Sequence, residues 1–162
     1  QRGSIMSQNQ ASTREMDFYR KLRETVKIWA GGEKSRSGRY AEYILAAPDL
    51  FMLMANLSRD ERVGRTDRAR LAGAVTYFIN PLDFVPELLL GPAGLVDDVA
   101  LAGYVLHDLL ENTDPVIIRE HWQGDADVLD LTRQILAAAD TMVGGTIWRR
   151  LIKRVESFVP GF

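Results

Sequence analysis

Apolar positions recur at three- and four-residue steps along nearly the whole chain, the signature of helices that each bury one face. Met16, Tyr19, Leu22, Val26 and Trp29 predict a first helix, capped by Ser12 or Thr13 and ended by Gly31-Gly32. Lys34 to Arg39 reads as a basic connector. A short segment from Tyr40 to Ala47 is expected to stop at Pro48, and Asp49 to open Leu50 to Leu57. Ser58 to Arg65 reads as a polar loop. Thr66 or Asp67 caps a helix to about Ile79, where Asn80-Pro81 is expected to end it. Gly91-Pro92-Ala93-Gly94 reads as loop, and Asp97 or Asp98 opens a helix to about Leu110. From Val99 to Leu106 every residue is apolar or small, so that helix should be buried on most sides. Asp114 followed by Pro115 combines a cap with a proline at the first helical position, giving a short helix to Trp122. Val128 to Met142 is amphipathic, with Leu129, Ile135, Leu136 and Ala139 facing inward, and Gly144-Gly145 ends it. Thr146 caps a last helix, Ile147 to about Phe158.

No strand-like alternation of useful length and no repeat interrupts this pattern. The expected fold is all-α, a compact domain of about six to eight helices with an amphipathic first helix and a basic amphipathic last one. Residues 1–10 are expected to be a disordered tail or a cloning remnant, with Gln1 to Ile5 preceding a natural start at Met6. Residues 11–46 would form a helical arm and 47–160 the domain itself.

Composition narrows this picture. A chain of 162 residues with 46% hydrophobic content and a formal charge of −2 fits one folded domain and excludes wholesale disorder. The absence of cysteine removes disulfides, thiolate zinc sites and cysteine nucleophiles. Leu71 to Leu95 is long enough to cross a bilayer, but Asn80, Pro81, Asp83, Pro86, Glu87 and Pro92 interrupt it, so it reads as core. The polar N-terminus lacks the apolar stretch of a signal peptide, and a cytoplasmic location is expected. Charge is unevenly placed. Residues 1–40 carry a net +5, residues 80–140 twelve acids against two bases, and residues 141–162 a net +3.

The most specific text is Tyr77-Phe78-Ile79-Asn80-Pro81-Leu82-Asp83-Phe84-Val85-Pro86-Glu87, followed by Gly91-Pro92-Ala93-Gly94-Leu95-Val96-Asp97-Asp98. It resembles the YkvA-like family, small bacterial helical domains of unknown function. In that family a helix ends in tyrosine and a Pro-x-Asp-x-x-Pro turn, then a glycine loop and an Asp-Asp helix start. Pro81, Asp83, Pro86, Gly94, Asp97 and Asp98 match, and Asn80 stands where the family more usually has serine. Pro48-Asp49-Leu50-Phe51 upstream and Arg119-Glu120-His121-Trp122 downstream extend the resemblance to roughly residues 47–155. It implies a helical fold and no particular activity.

Two readings of the acids follow. In one, Asn80, Asp83, Asp97 and Asp98 are caps and dipole partners at helix ends, or are anchored by Arg68 or Arg70. In the other, Asp83, Glu87, Asp97 and Asp98 converge and, with the Asn80 side chain, supply hard oxygen ligands for Mg²⁺ or Ca²⁺. No other cofactor is expected.

His107-Asp108 superficially resembles the dyad of helical metal-dependent phosphohydrolases, but no histidine precedes it to complete that ligand set. His107 reads instead as a boundary residue and His121, beside Trp122, as a packing partner at a helix end. Ser58 and Thr66 have no evident base partner.

In the last helix, Ile147, Trp148, Leu151, Ile152, Val155, Phe158 and Val159 form an apolar stripe opposite Arg149, Arg150, Lys153 and Arg154. Such a helix can dock on the acidic middle of its own chain, on a second copy, or on an anionic membrane face. Trp148, Arg149, Arg150, Lys153 and Arg154 are the contact candidates. Nucleic acid is not an expected partner, because the acidic middle repels phosphate. The leading expectation is a non-enzymatic interaction domain with a protein partner or a second copy, peripheral to the cytoplasmic membrane face. The alternative is a divalent-cation switch or metal-dependent hydrolase centred on the acidic cluster.

Overall fold

The structure, a computed structural model, describes the backbone of residues 2–30, 41–84, 92–122, 124 and 127–158. Within the helices, the side chains of 2–12, 29–30, 80–84, 92–98, 142–143, 147, 154–155 and 158 fall outside the description. Among the described residues there is no strand, as the periodicity requires. The helices are α1 (Arg2–Ala30), α2 (Ala41–Leu45), α3 (Ala47–Arg59), α4 (Arg65–Phe84), α5 (Pro92–Glu111), α6 (Pro115–His121), α7 (Val128–Val143) and α8 (Gly145–Phe158).

Three prolines start helices here. Pro115 does so as expected, with the Asp114 carboxylate accepting from the Val116 amide at 3.0 Å. Pro48 marks the expected break between two helices and sits in the first turn of the second, α3, whereas Pro92, expected in a loop, opens α5. The missing N–H of proline falls where a first turn leaves donors unpaired in any case. Asn80-Pro81 does not end α4 either, which runs on to Phe84. The φ of proline is itself helical, so it removes one hydrogen bond without forbidding a further turn. Likewise α1 begins at Arg2, ahead of the expected start at Ser12 or Thr13, and takes in most of the polar run expected as a tail. Extending an existing helix costs far less than nucleating one.

The buried face of α1 is Glu15, Phe18, Leu22 and Val26, rotated from the predicted stripe. Phe18 sets the rotation, its ring centroid 4.4 Å from that of Phe51 on α3. Glu15 is drawn in with it and pairs with Arg59 at the end of α3. Around these, α3 packs on α4, α5 and α6, and the most extensive seam joins α5 to α7. Leu50, Leu53, Leu57, Leu101, Leu106 and Ile135 are fully buried along these seams. Gly103 makes the α5–α7 approach possible: a Cβ there would lie 2.6 Å from the Ile135 Cγ2.

The turn into α8 depends on Gly144, whose φ of 95° lies in the left-handed region. Its amide donates to the Asp140 carbonyl and its own carbonyl accepts from Trp148, both at 2.8 Å. One residue thus ends α7 and begins α8.

Candidate functional site

The side chains of α8 divide by helical position. Trp148, Leu151 and Ile152 lie on one arc and pack on the core, where Trp148 meets Tyr104 of α5 edge to face at 5.9 Å and 87°. The Tyr104 hydroxyl donates to Glu156 at 3.2 Å. Burial, and after it the Glu156 carboxylate, raises the Tyr104 pKa. One expectation needs correction here. Trp148, counted among the contact candidates, is only 6% exposed. It anchors α8 and is withdrawn from any outer surface. The helix docks on α4, α5 and α7, whereas its cations Arg149, Arg150 and Lys153 are exposed and form no ion pair among the described residues; the side chains of Asp83, Glu87, Asp97 and Asp98 in the acidic middle lie outside them. Apolar contact docks the helix, leaving its charge outside. The side chain of Arg154 lies outside the described residues.

The acidic motif is placed only through its backbone. Asn80 and Asp83 lie in the last turns of α4, while Asp97 and Asp98 follow five and six residues after the start of α5 at Pro92. None is at a helix start, so the N-terminal dipole that was expected to favour them is not available. Their side chains, and Glu87 entirely, lie outside the described residues. Among the described residues, no group of three or more histidine, aspartate or glutamate side chains is arranged to hold a metal ion. Arg70, considered as an anchor for the motif, lies 3.8 Å from both Asp67 and Asp108.

A charged network missed in the sequence joins the end of α3 to the end of α6. Asp60, the C-cap of α3, is 10% exposed at its side chain. One carboxylate oxygen accepts from the Arg62 amide at 2.9 Å and its Nε at 3.0 Å, the other from Arg62 Nη2 at 2.7 Å. His121 Nε2 completes the set at 2.8 Å from the second oxygen. Arg62 Nη2 also donates to Glu120 at 2.5 Å. Hydrogen bonds from Arg62, then from His121, hold the Asp60 carboxyl far below the usual carboxylate range. Asp60 first and Glu120 second raise Arg62, and Arg62 in turn lowers Glu120.

Four bonds use all the lone-pair positions of the carboxylate, leaving none for a metal. The nearest hydroxyl in sequence, Ser58, donates to the Ala55 carbonyl at 2.6 Å. This arrangement is a clasp between helices, without a nucleophile. His121 packs at a helix end as expected, but through Asp60, 61 residues away in sequence. His107 is partly buried, with Glu111 3.7 Å from its Nε2.

An apolar hollow between α1, α3, α4 and α5 is lined by Phe18, Leu22, Phe51, Met54, Phe78 and Val99, among others. None of its lining residues is polar, so it offers no group to orient a reacting ligand.

Residues 67–104, covering α4 and the first part of α5, match a family described as "Protein of unknown function (DUF1232)". An "Uncharacterized protein ORF9" of Methanothermobacter thermautotrophicus is 30% identical over 94 residues, 58% of this chain and 64% of its own. The chain therefore spans a little less than two thirds of that relative. No solved structure matches. The family match falls on the segment that carries the resemblance read from the sequence and agrees with it in kind: a small helical domain of unknown function. No helix among the described residues is long and apolar enough to cross a membrane.

Proposed function

We propose that this chain, built around a helical segment of a family without known activity, is a non-catalytic interaction domain. Its working surface is the outer face of α8, which engages an anionic partner on the cytoplasmic side of the membrane. The observation behind this reading is the division of α8: Trp148, Leu151 and Ile152 are taken up by the core while Arg149, Arg150 and Lys153 stand exposed without a described partner. Exposed like charges on one face repel one another, and an opposite charge brought from outside relieves that repulsion. Fluorescence anisotropy with labelled polyglutamate tests it. The intact protein should bind at low salt, and a variant carrying Arg149→Glu, Arg150→Glu and Lys153→Glu should keep its thermal melt and lose binding. Equal binding by a folded variant would refute the reading.

One observation favours the divalent-cation reading of Asp83, Glu87, Asp97 and Asp98, as a switch or as the centre of a hydrolase. Asp97 and Asp98 lie beyond the first turn of α5 and Asp83 at the end of α4, so helix capping does not account for these acids. Calorimetry with Mg²⁺, Ca²⁺ and Mn²⁺ decides between the two. Heat that Asp97→Asn and Asp98→Asn abolish would support a cation site; no heat at millimolar ion would remove it.

A further inference from the structure

We propose that the anionic partner of α8 is the surface of a phospholipid bilayer, met by Arg149, Arg150 and Lys153 without insertion of the helix; this rests on the docking reading above and names its partner. The geometry begins with the helical repeat. At about 100° per residue, positions 149, 153 and 150 fall within an arc of roughly 100° and within roughly 6 Å along the axis. Trp148, Leu151 and Ile152 fall on the opposite side, against the core. The cations therefore form one compact outward patch.

What surrounds the patch selects the partner. A protein interface draws most of its affinity from a few apolar or aromatic anchors seated in pockets. The exposed large hydrophobic side chains among the described residues are Ile28, Leu45 and Val116, on α1, α2 and α6, and none is on α8. The described hollow is lined from α1, α3, α4 and α5. Among its described side chains the α8 face thus offers charge without an exposed apolar anchor. That suits a surface with high charge density and no fixed shape, such as a leaflet rich in anionic lipid.

Insertion is a different mode. An amphipathic helix that lies in the interface buries its own apolar face in lipid. Here Trp148 is 6% exposed and already committed to Tyr104. Binding must then be electrostatic and fully reversible by salt. Each cation contributes roughly a fivefold change in partitioning, so the three together contribute on the order of a hundredfold.

Co-sedimentation of the full chain with extruded vesicles tests this. The intact protein should bind phosphatidylcholine vesicles containing phosphatidylglycerol at low salt, leave them at high salt, and ignore pure phosphatidylcholine. Combined Arg149→Glu, Arg150→Glu and Lys153→Glu should lower binding by at least about a hundredfold, since reversal adds repulsion to the lost attraction. A charge-matched control, Lys21→Glu with Lys27→Glu and Arg133→Glu on α1 and α7, should lower it far less. Circular dichroism verifies that each variant is folded, and the single reversal Lys153→Glu serves if the triple one is not. Binding that survives high salt, that persists on pure phosphatidylcholine, or that both triple variants lose equally overturns the proposal. If polyglutamate or duplex DNA binds while the anionic vesicles do not, the bilayer is refuted and an anionic docking face stands. If no polyanion binds, both readings fall.

Discussion

Gly103→Ala probes the seam on which α8 depends, because Gly103 fixes the approach of α5 to α7 and its neighbour Tyr104 receives Trp148. The added methyl would lie 2.6 Å from Ile135 Cγ2 and 3.2 Å from its Cβ. Carbon atoms in contact sit at about 3.5–4.0 Å, so the nearer contact is short by about 1 Å. Ile135 is 0% exposed, and its branched side chain has essentially one χ1 rotamer in a helix, so it cannot swing aside. The helices must separate, and overpacking of this kind costs about 1–3 kcal/mol. Helix propensity returns about 0.8–1 kcal/mol on replacing glycine with alanine. The net expectation is a loss of up to about 2 kcal/mol. Urea unfolding followed by far-ultraviolet circular dichroism should show the midpoint falling by up to about 1 M, for a slope near 2 kcal/mol/M. Ile135→Ala alone should cost about 2–5 kcal/mol. In the double variant the new methyl enters the space just vacated, so Gly103→Ala should become neutral or favourable. A coupling of about 1–3 kcal/mol between the two sites is then expected. A Gly103→Ala midpoint at or above that of the parent, or a cycle additive within about 0.5 kcal/mol, would refute the close approach.

Three further tests address the clasp and the docking of α8. The Asp60 carboxyl is held far below its ordinary pKa of about 4, so its contribution is whole above pH 4 and is lost as pH falls toward the folded-state value. Thermal melts across an acid series should therefore show the stability gap between the parent and Asp60→Asn closing below about pH 4, and parallel curves would deny the clasp. Gly144→Ala forces a side chain into φ 95° and should cost about 1–2 kcal/mol, or about 2–8 °C in a melt. If apolar contact holds α8, Trp148→Ala should cost about 3–5 kcal/mol by urea denaturation. Tyr104→Phe, which removes the hydroxyl that bonds Glu156 and keeps the ring against Trp148, should cost about 0.5–1.5 kcal/mol, and the reverse order would mean that polar contacts do the holding.

The parts of the fold legible in the sequence are those where independent local signals agree. Asp114 and Pro115 specify the same boundary twice, by side-chain cap and by fixed φ, and α6 begins there. Pro81 and Pro92 each carry a single signal that suits either side of a helix boundary, and α4 runs past the one while α5 opens at the other. Asp127 was legible in principle, since it precedes an apolar run and its carboxylate accepts from the amides of Leu129 and Asp130. The clasp was not. Asp60 and His121 are 61 residues apart, and only the packing of α6 on α3 brings them together. Glu15 shows the same limit, since a carboxylate on a buried face makes sense only once Arg59 of another helix stands beside it.

The basic tail of the chain folds back onto helices of its acidic middle, and the physics of burial favours apolar contact over ion pairing as what holds it there. Placing Arg149, Arg150 or Lys153 against the core would desolvate a cation, a cost that an ion pair recovers only with good geometry and further hydrogen bonds. Burying Trp148 gains free energy with no such condition. The apolar stripe therefore decides which face of α8 turns inward, and the cations are left outside because no arrangement of that helix can bury both. The acidic middle and the basic tail then need no ion pair to coexist in one fold. Docking of α8 on its own core should respond little to salt, whereas anything captured by its outer face should respond strongly, because only the outer contact is made of exposed charge.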